Sequence, residues 1–254
     1  MENDVSSANR PNRYSNRLLA ALPETDRLEI LTRCEPVELQ VGEVIGEPGE
    51  RISAVYFPTD SFVSLVTPCV DHAGMEVWLV GNEGMVGTPL VLGVDVNPLR
   101  ALVQGAGPAW RMTAEGLGDA LRQSDALHRT LDRYLSVLMS QGAQMVACAR
   151  FHVVEARLAR WLLMCQDRAH SDHFHVTHEI LAAMLGVRRV GVTKAATALQ
   201  QRDLIRYRRG DVSILDRSGL RAVACGCYGA MEGIYELSCA RAVSPGMSDS
   251  RLPT

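Results

Sequence analysis

Arg188, Arg189, Thr193 and Lys194 recur at helical spacing near the C-terminal third of this 254-residue chain. Val192, Ala195, Ala196 and Leu199 interleave with them and fall together on another face of the same helix. One buried side and one side presenting hydrogen-bond donors is what a helix needs to read DNA. Two other groups have residue types suited to chemistry. Cys225-Gly226-Cys227, with Cys239 beyond it, is a C-x-C without a paired second motif, so no metal ligand set is assigned there. His170, His173, His175 and His178 crowd one linker, where surface histidines and a wing-like strand are the simpler reading. No GxSxG, HExxH, P-loop or GxGxxG pattern occurs in a suitable context, which leaves an enzymatic reading without support.

The donor residues need a scaffold, and the flanking sequence supplies one. Thr177 is placed to cap a helix carrying Ile180, Leu181, Met184 and Leu185. Gly186 fits the left-handed residue that ends it, and Val187 is a small apolar plug for the turn. The second helix runs from about Arg188 to Gln201 and leads into RYRRGDVSILD, a two-stranded wing tipped by Arg206, Arg208, Arg209 and Gly210. Upstream, Val153 to about Arg168 is a helix with Val154, Leu158, Trp161, Leu162 and Cys165 on one side, suited to pack beneath the helix–turn–helix. Phe151-His152 marks a break before it. Ser218 to Leu237 reads as one terminal helix weakened by glycines.

The first half of the chain has a different rhythm. Residues 1–16 and 244–254 read as disordered. Asn16 to Leu31 forms one or two short helices, with Leu18, Leu19, Leu22, Leu28, Ile30 and Leu31 as the apolar face and Pro23 opening the second. From about Cys34 the period is two, and short apolar runs alternate with turns at Gly42, Pro48-Gly49, 58–60, 72–74, 81–84 and 105–108. That pattern predicts a compact β sandwich or barrel. Thr113 starts a short helix, and Ser124 to about Ala149 is a long one. Leu127, Tyr134, Gln141 and Cys148 interleave with Leu131, Leu138 and Met145 as an a/d seam, while Leu135, Met139 and Val146 widen the stripe toward the β domain. Two readings of the seam stand: a dimer interface, which gives a DNA reader its second half-site, or a helix lying on its own domain. Cys148 is either a thiol able to cross-link a dimer on oxidation or a buried structural one.

Composition bounds the class. Hydrophobic residues make up 47% and charged residues 22%, which suits a soluble globular chain of two modest domains. No run of 18 apolar residues suggests a membrane span, and the polar N-terminus lacks a signal core. Seven cysteines in no regular framework fit a reducing cytoplasm. The net charge of −3 conceals a division: residues 1–149 hold 11 basic and 19 acidic side chains, residues 150–217 hold 12 and 7. The positive segment is the one with the helix–turn–helix, as phosphate binding requires.

In its order of short helices, glycine-punctuated β roll, long helix, hinge and winged helix–turn–helix, the chain resembles the Crp/Fnr family of bacterial transcription regulators. The resemblance spans about residues 17–217 and is carried by VEARLARWLL, THEILAAMLGVRRVGVTKAATALQQRDLIRY and the RRGDVSILD wing. It implies an α+β fold. The parts are a cyclic-nucleotide-binding-like β roll at 17–123, a dimerisation helix and hinge at 124–150, a winged helix–turn–helix at 151–220 and a C-terminal extension at 221–254. It further implies a homodimer on a two-fold symmetric site, with Leu127, Leu131, Tyr134, Leu138, Gln141 and Met145 at the dimer seam. Arg188, Arg189, Val190 and Lys194 match positions that face DNA in the family. Arg189 matches one that reads guanine, where a guanidinium donates to O6 and N7. Val190 replaces the acidic residue common in cyclic-AMP-type members, so the preferred site differs from theirs. Thr177 and His178 match phosphate-contacting positions, and Thr193, Arg208 and Arg209 complete the expected DNA surface.

At the expected effector site the match weakens. Cyclic-nucleotide-binding members use a glutamate for the ribose and an arginine for the cyclic phosphate. Here Gly84-Met85-Val86-Gly87 has methionine at the acidic place, and Asn97-Pro98-Leu99 stands where Arg-Ser belongs, with Arg100 two residues late. No cofactor is therefore expected, cyclic AMP is not expected to bind, and the effector is unknown. The spaced Cys34 and Cys69 lack the N-terminal cysteine pattern of cluster-bearing relatives. The partners expected are double-stranded DNA, a second copy of the chain and, for a regulator of transcription, RNA polymerase, with no membrane partner and a cytoplasmic location. The competing reading is a small-molecule-binding signalling module whose basic C-terminal domain contacts protein.

Overall fold

The computed structural model describes residues 16–69 and 72–239. The two end segments expected to be disordered lie outside the described residues, apart from Asn16. That residue is buried, and its side chain caps the first helix, α1 (Arg17–Ala20). Helix α2 (Glu24–Thr32) follows, with Pro23 at its N-cap. Leu18, Leu19, Leu22 and Ile30 are buried as expected, but Leu28 is exposed because the opposite face of α2 meets the roll.

Seven strands build the roll: β1 (Glu35–Leu39), β2 (Val44–Gly46), β3 (Ala54–Pro58), β4 (Phe62–Cys69), β5 (His72–Val80), β6 (Arg100–Gly105) and β7 (Gly107–Thr113). They form two antiparallel sheets, ordered β1-β7-β3 and β2-β6-β4-β5. Alternate side chains of both sheets meet in one core that includes Leu39, Val63, Leu65, Val80, Ala101, Val103 and Ala109. The turn expected at 72–74 is part of β5 instead. Gly74 sits there at φ +87, beside a register shift in the β4–β5 ladder.

Helix α3 (Ala114–Gln123) is capped by Thr113, and the long helix α4 (Asp125–Phe151) by Ser124. His152, in extended conformation, ends α4, which is the break expected at Phe151-His152. Next come α5 (Val154–Ala169), β8 (His173–His175), α6 (His178–Leu185), α7 (Arg189–Gln201), β9 (Ile205–Arg208), β10 (Asp211–Ile214), α8 (Arg217–Val223) and α9 (Cys227–Cys239). The terminal helix read at 218–237 is thus two helices, broken at 224–226 where Ala224 turns extended before Gly226. None of the described helices is long and apolar enough to cross a membrane.

The long helix corrects the sequence reading most. Leu127, Leu131, Tyr134 and Leu138 are buried against the roll and the N-terminal helices of the same chain. Met145 and Cys148 are buried too, and α9 folds back along this end of α4, where Gln141 Nε2 donates to the Met231 carbonyl at 3.2 Å. The a/d seam is therefore not a free partner-facing surface. The residues expected to lie on the β domain are the ones left out: Met139 is 76% exposed and Val146 69%, with Leu135 half-buried beside them.

Candidate nucleic-acid interface

Helices α6 and α7 are fixed by local chemistry. Thr177 Oγ1 accepts from the Ile180 amide at 3.2 Å, closing the first turn of α6. Gly186 ends the helix at φ +61, where a β-carbon would also strike Met75 Sδ at 2.9 Å. Leu181, Met184, Leu185, Val192, Ala195, Ala196 and Leu199 then bury between the two helices and against Leu158, Trp161 and Leu162 of α5. A fully buried leucine side chain is worth about 1.5–3 kcal/mol, so this cluster sets the orientation of α7 firmly.

The opposite face of α7 is open. Arg188, Arg189, Val190, Thr193 and Lys194 are all exposed. No acidic residue sits in the first turn of α7, and no side chain caps it. Two guanidiniums beside the positive end of a helix dipole are unfavourable in the isolated chain, by roughly 0.3–1 kcal/mol each. An anion at that end would relieve both terms at once.

His178 joins the parts. Its ring stacks on Tyr207 with centroids 4.5 Å apart, and Tyr207 Oη donates to the Val176 carbonyl. Thr193 Oγ1 donates to the Arg189 carbonyl at 3.1 Å and lies 3.1 Å from His178 Nδ1. One hydroxyl has one proton, so Nδ1–H of a neutral imidazole is the donor to Thr193. Burial, then the charge of Arg189, pushes the His178 pKa down, which keeps the ring neutral. Thr177 and Thr193 thus have their hydroxyls engaged within the motif, while the arginines and Lys194 project outward.

The wing is a three-stranded sheet, β8-β10-β9. At its tip Arg209 and Gly210 both have positive φ, +54 and +94, the geometry of a two-residue hairpin turn. Arg206, Arg208 and Arg209 are exposed around it. The histidines of the linker do not converge. His175 pairs with Asp211 at 2.8 Å and His173 with Ser213 at 2.8 Å across the β8–β10 ladder, while His170 lies 3.7 Å from Asp60 of the roll.

The six residues read as an effector pocket are scattered. Val86 and Gly87 line a cavity of about 260 Å³ together with Gly46, Tyr56, Asn97 and Ala101. Met85 is fully buried in the core between the roll and α4, and Gly84 packs on Tyr134. Leu99 is half-buried in the roll core, and Arg100 pairs with Glu47 at 3.1 Å on the surface. No carboxylate stands at position 85, and Arg100 does not line the cavity; the charged side chains along it are Glu43, Glu50 and Arg51, with Arg51 held by Asp95 at 3.1 Å.

Sequence reasoning missed the junction between the roll and the helix–turn–helix domain. A second cavity, about 220 Å³, lies among Glu76, Trp78, Met145, Arg160, Arg168 and Tyr235. Glu76 is buried, accepting from Ser64 Oγ at 2.5 Å and from Trp161 Nε1 of α5 at 3.0 Å. Arg168 reaches Glu83 at 2.5 Å in a largely buried pair. A charged residue interrupting an apolar strand was the available signal.

Residues 156–223 match the family model of the Crp-like helix–turn–helix domain. No curated protein matches the chain in sequence. Among solved structures, a Crp/Fnr-family transcriptional regulator of Thermus thermophilus is similar at 22% identity and TM-score 0.62, covering 75% of this chain and 98% of that one. The c-di-GMP responsive global regulator CLP of Xanthomonas campestris is similar at 16% identity and TM-score 0.63, covering 76% and 100%. FixK2 of Bradyrhizobium japonicum gives 14%, 0.63, 76% and 98%.

Proposed function

We propose that this chain, which carries a Crp-like helix–turn–helix domain on the fold of Crp/Fnr transcription regulators, is itself a sequence-specific DNA-binding regulator of transcription that acts in the cytoplasm. The observation that carries the reading is the division of α7. Its apolar face is buried against α5 and α6, and its Arg188, Arg189, Val190 and Lys194 face is open, flanked by the wing arginines. Arg189 reads a base, with guanine the acceptor its fork fits, and Val190 offers an apolar contact to a thymine methyl. Arg188, Lys194, Arg208 and Arg209 hold phosphates.

The protein works as a homodimer. Two helices α7 related by a two-fold axis then read half-sites about 34 Å apart, one turn of DNA. The contact face is the exposed Met139–Val146 stripe of α4 rather than the a/d seam, which the chain covers itself. The effector is not cyclic AMP, because Met85 is buried where the family's ribose-binding glutamate stands and Arg100 is paired with Glu47 on the surface, so neither family contact forms.

The test is selection of bound sequences from a random duplex pool, followed by titration of the enriched site at several salt concentrations. An inverted repeat is expected. About eight phosphate contacts, four from each protomer, at about 0.9 each give a slope of log K against log salt near −7. Arg189→Ala should cost about 1–3 kcal/mol and relax preference at one base pair in each half-site. Binding that tolerates Arg189→Ala with its preference intact refutes the assignment of α7 and favours the protein-contacting alternative.

A further inference from the structure

Four side chains with metal-binding atoms meet at the hinge between α4 and α5. Cys148 lies in the last turn of α4, His152 is the residue that ends it, Cys225 lies in the break between α8 and α9, and Cys227 opens α9. Their sulfurs and one ring nitrogen all lie within 4.8 Å of one another. Cys148 Sγ is 3.6 Å from Cys225 Sγ, and Cys227 Sγ is 3.4 Å from His152 Nδ1. A tetrahedral zinc site, with Zn–S near 2.3 Å and Zn–N near 2.0–2.1 Å, sets ligand separations of about 3.8 Å for S···S and about 3.5 Å for S···N. The two closest pairs, at 3.6 and 3.4 Å, already have these separations, and the remaining pairs lie within 4.8 Å and close further around one ion.

A second observation points the same way. Arg157 and Arg160 are buried, and each has an Nε without a hydrogen-bond partner among the described residues. Neither forms a salt bridge with a carboxylate among those residues. Both lie within electrostatic reach of Cys148 and Cys225, and Arg160 also within reach of Glu76, so Arg157 is the one with no other acidic group near it among the described residues. Buried guanidiniums need a compensating negative charge. Three thiolates and one neutral imidazole around Zn²⁺ carry a net charge of −1, which supplies it. Gln144 Nε2 also donates to Cys227 Sγ at 3.1 Å, the kind of outer hydrogen bond that orients a metal-bound thiolate.

We propose that Cys148, His152, Cys225 and Cys227 form a Cys₃His site for a zinc-class divalent ion. Four protein ligands leave no open position, so the site is structural and does no chemistry. It ties the end of the long helix, the turn into α5 and the start of α9 to one point. The hinge on which the DNA-reading domain hangs is thereby held rigid, and metal loss frees it.

The test uses the full-length protein purified under reducing conditions, with metal content measured by mass spectrometry and with Co²⁺ as the optical probe. About one zinc per chain is expected after reconstitution and dialysis. Co²⁺ should give thiolate charge-transfer absorption and the ligand-field bands of a tetrahedral centre. Cys227→Ser should lose both, and Cys34→Ser should keep both. Gln144→Ala should weaken the metal about 10–100-fold while the cobalt spectrum retains its shape, a change that general unfolding would not produce. The cobalt spectrum of the unaltered chain needs no variant to fold. If it shows no tetrahedral thiolate bands, the proposal fails. It also fails if Cys148→Ser with Cys225→Ser retains zinc.

Discussion

Replacing Glu76 by Gln should change how the stability of this chain depends on pH. Glu76 is buried between β5 and α5, and burial pushes its carboxyl up from the usual 4.5 to about 7, against the hydrogen bond from Ser64, the charge of Arg160, the hydrogen bond from Trp161 and the charge of Arg168. In the unfolded chain the group ionises near 4.5. Between pH 4.5 and 7 the folded state therefore holds a proton that the unfolded state has released, and stability falls as pH rises through this window. The slope is about 1.4 kcal/mol per pH unit, and the full interval amounts to about 3 kcal/mol. Below that window both states are protonated and the term vanishes. Above it both are ionised, and the loss is complete and constant. A glutamine keeps the shape and one donor–acceptor pair but cannot titrate. Urea unfolding from about pH 4 to about pH 8.5, followed by tryptophan fluorescence, should show the variant gaining on the unaltered protein through the window and then holding its lead. A difference that stays constant across that range, or one that grows toward acid, refutes the reasoning. The second outcome would mean an ionised Glu76 that stabilises the fold.

Thr177→Ala should cost about 1 kcal/mol by removing the cap of α6, seen as an earlier urea midpoint, without altering the selected DNA sequence. Met139→Glu with Val146→Glu should leave the monomer folded, since both side chains are exposed, yet abolish the dimer in sedimentation velocity; a persisting dimer places the interface elsewhere. Met85→Glu, which restores the acidic residue of cyclic-nucleotide binders, should destabilise by several kcal/mol and gain no cyclic AMP affinity, because position 85 is fully buried in an apolar core. Calorimetry with cyclic AMP and thermal melts of the variant check both halves of that statement.

Much of the fold was legible because it is written locally. Thr177 and Gly186 bracket α6 by capping chemistry that involves residues a few positions apart, and the period-2 runs of 35–112 mark strands whichever way the sheets pair. The candidate DNA face was legible for the same reason, since the alternation of Val192, Ala195, Ala196 and Leu199 with the basic residues is set by one helix. What failed was long-range. A heptad pattern says that one stripe of α4 will be buried but not by what. The covering partner for Met145 and Cys148 is α9, far along the chain, so the stripe read as a dimer seam is an internal one. The C-x-C at 225–227 looked incomplete for a related reason: Cys148 and His152, which complete it, stand 77 and 75 residues away in sequence. Glu76 belongs here too, because its burial depends on Trp161 of a separate domain.

Strand β5 touches the long helix, α5 and the helix–turn–helix at once. Trp78 Nε1 donates to the Leu138 carbonyl of α4 at 2.9 Å, and the same indole packs on Gly142 one turn further. Glu76 accepts from Trp161 of α5, and Met75 packs on Gly186 at the turn between α6 and α7. The strand is hydrogen-bonded along β4, whose Phe62 and Val66 are buried among side chains of the helix–turn–helix domain. Packed interiors do not deform smoothly, so a shift of β5 has to be accommodated in discrete steps by its neighbours. Contacts therefore join the roll to the helix–turn–helix by two routes within one chain. One runs through the long helix and its hinge, and the other runs directly across the Met75–Gly186 and Glu76–Trp161 contacts. The direct route ends at the turn between α6 and α7, close to Arg188 and Arg189.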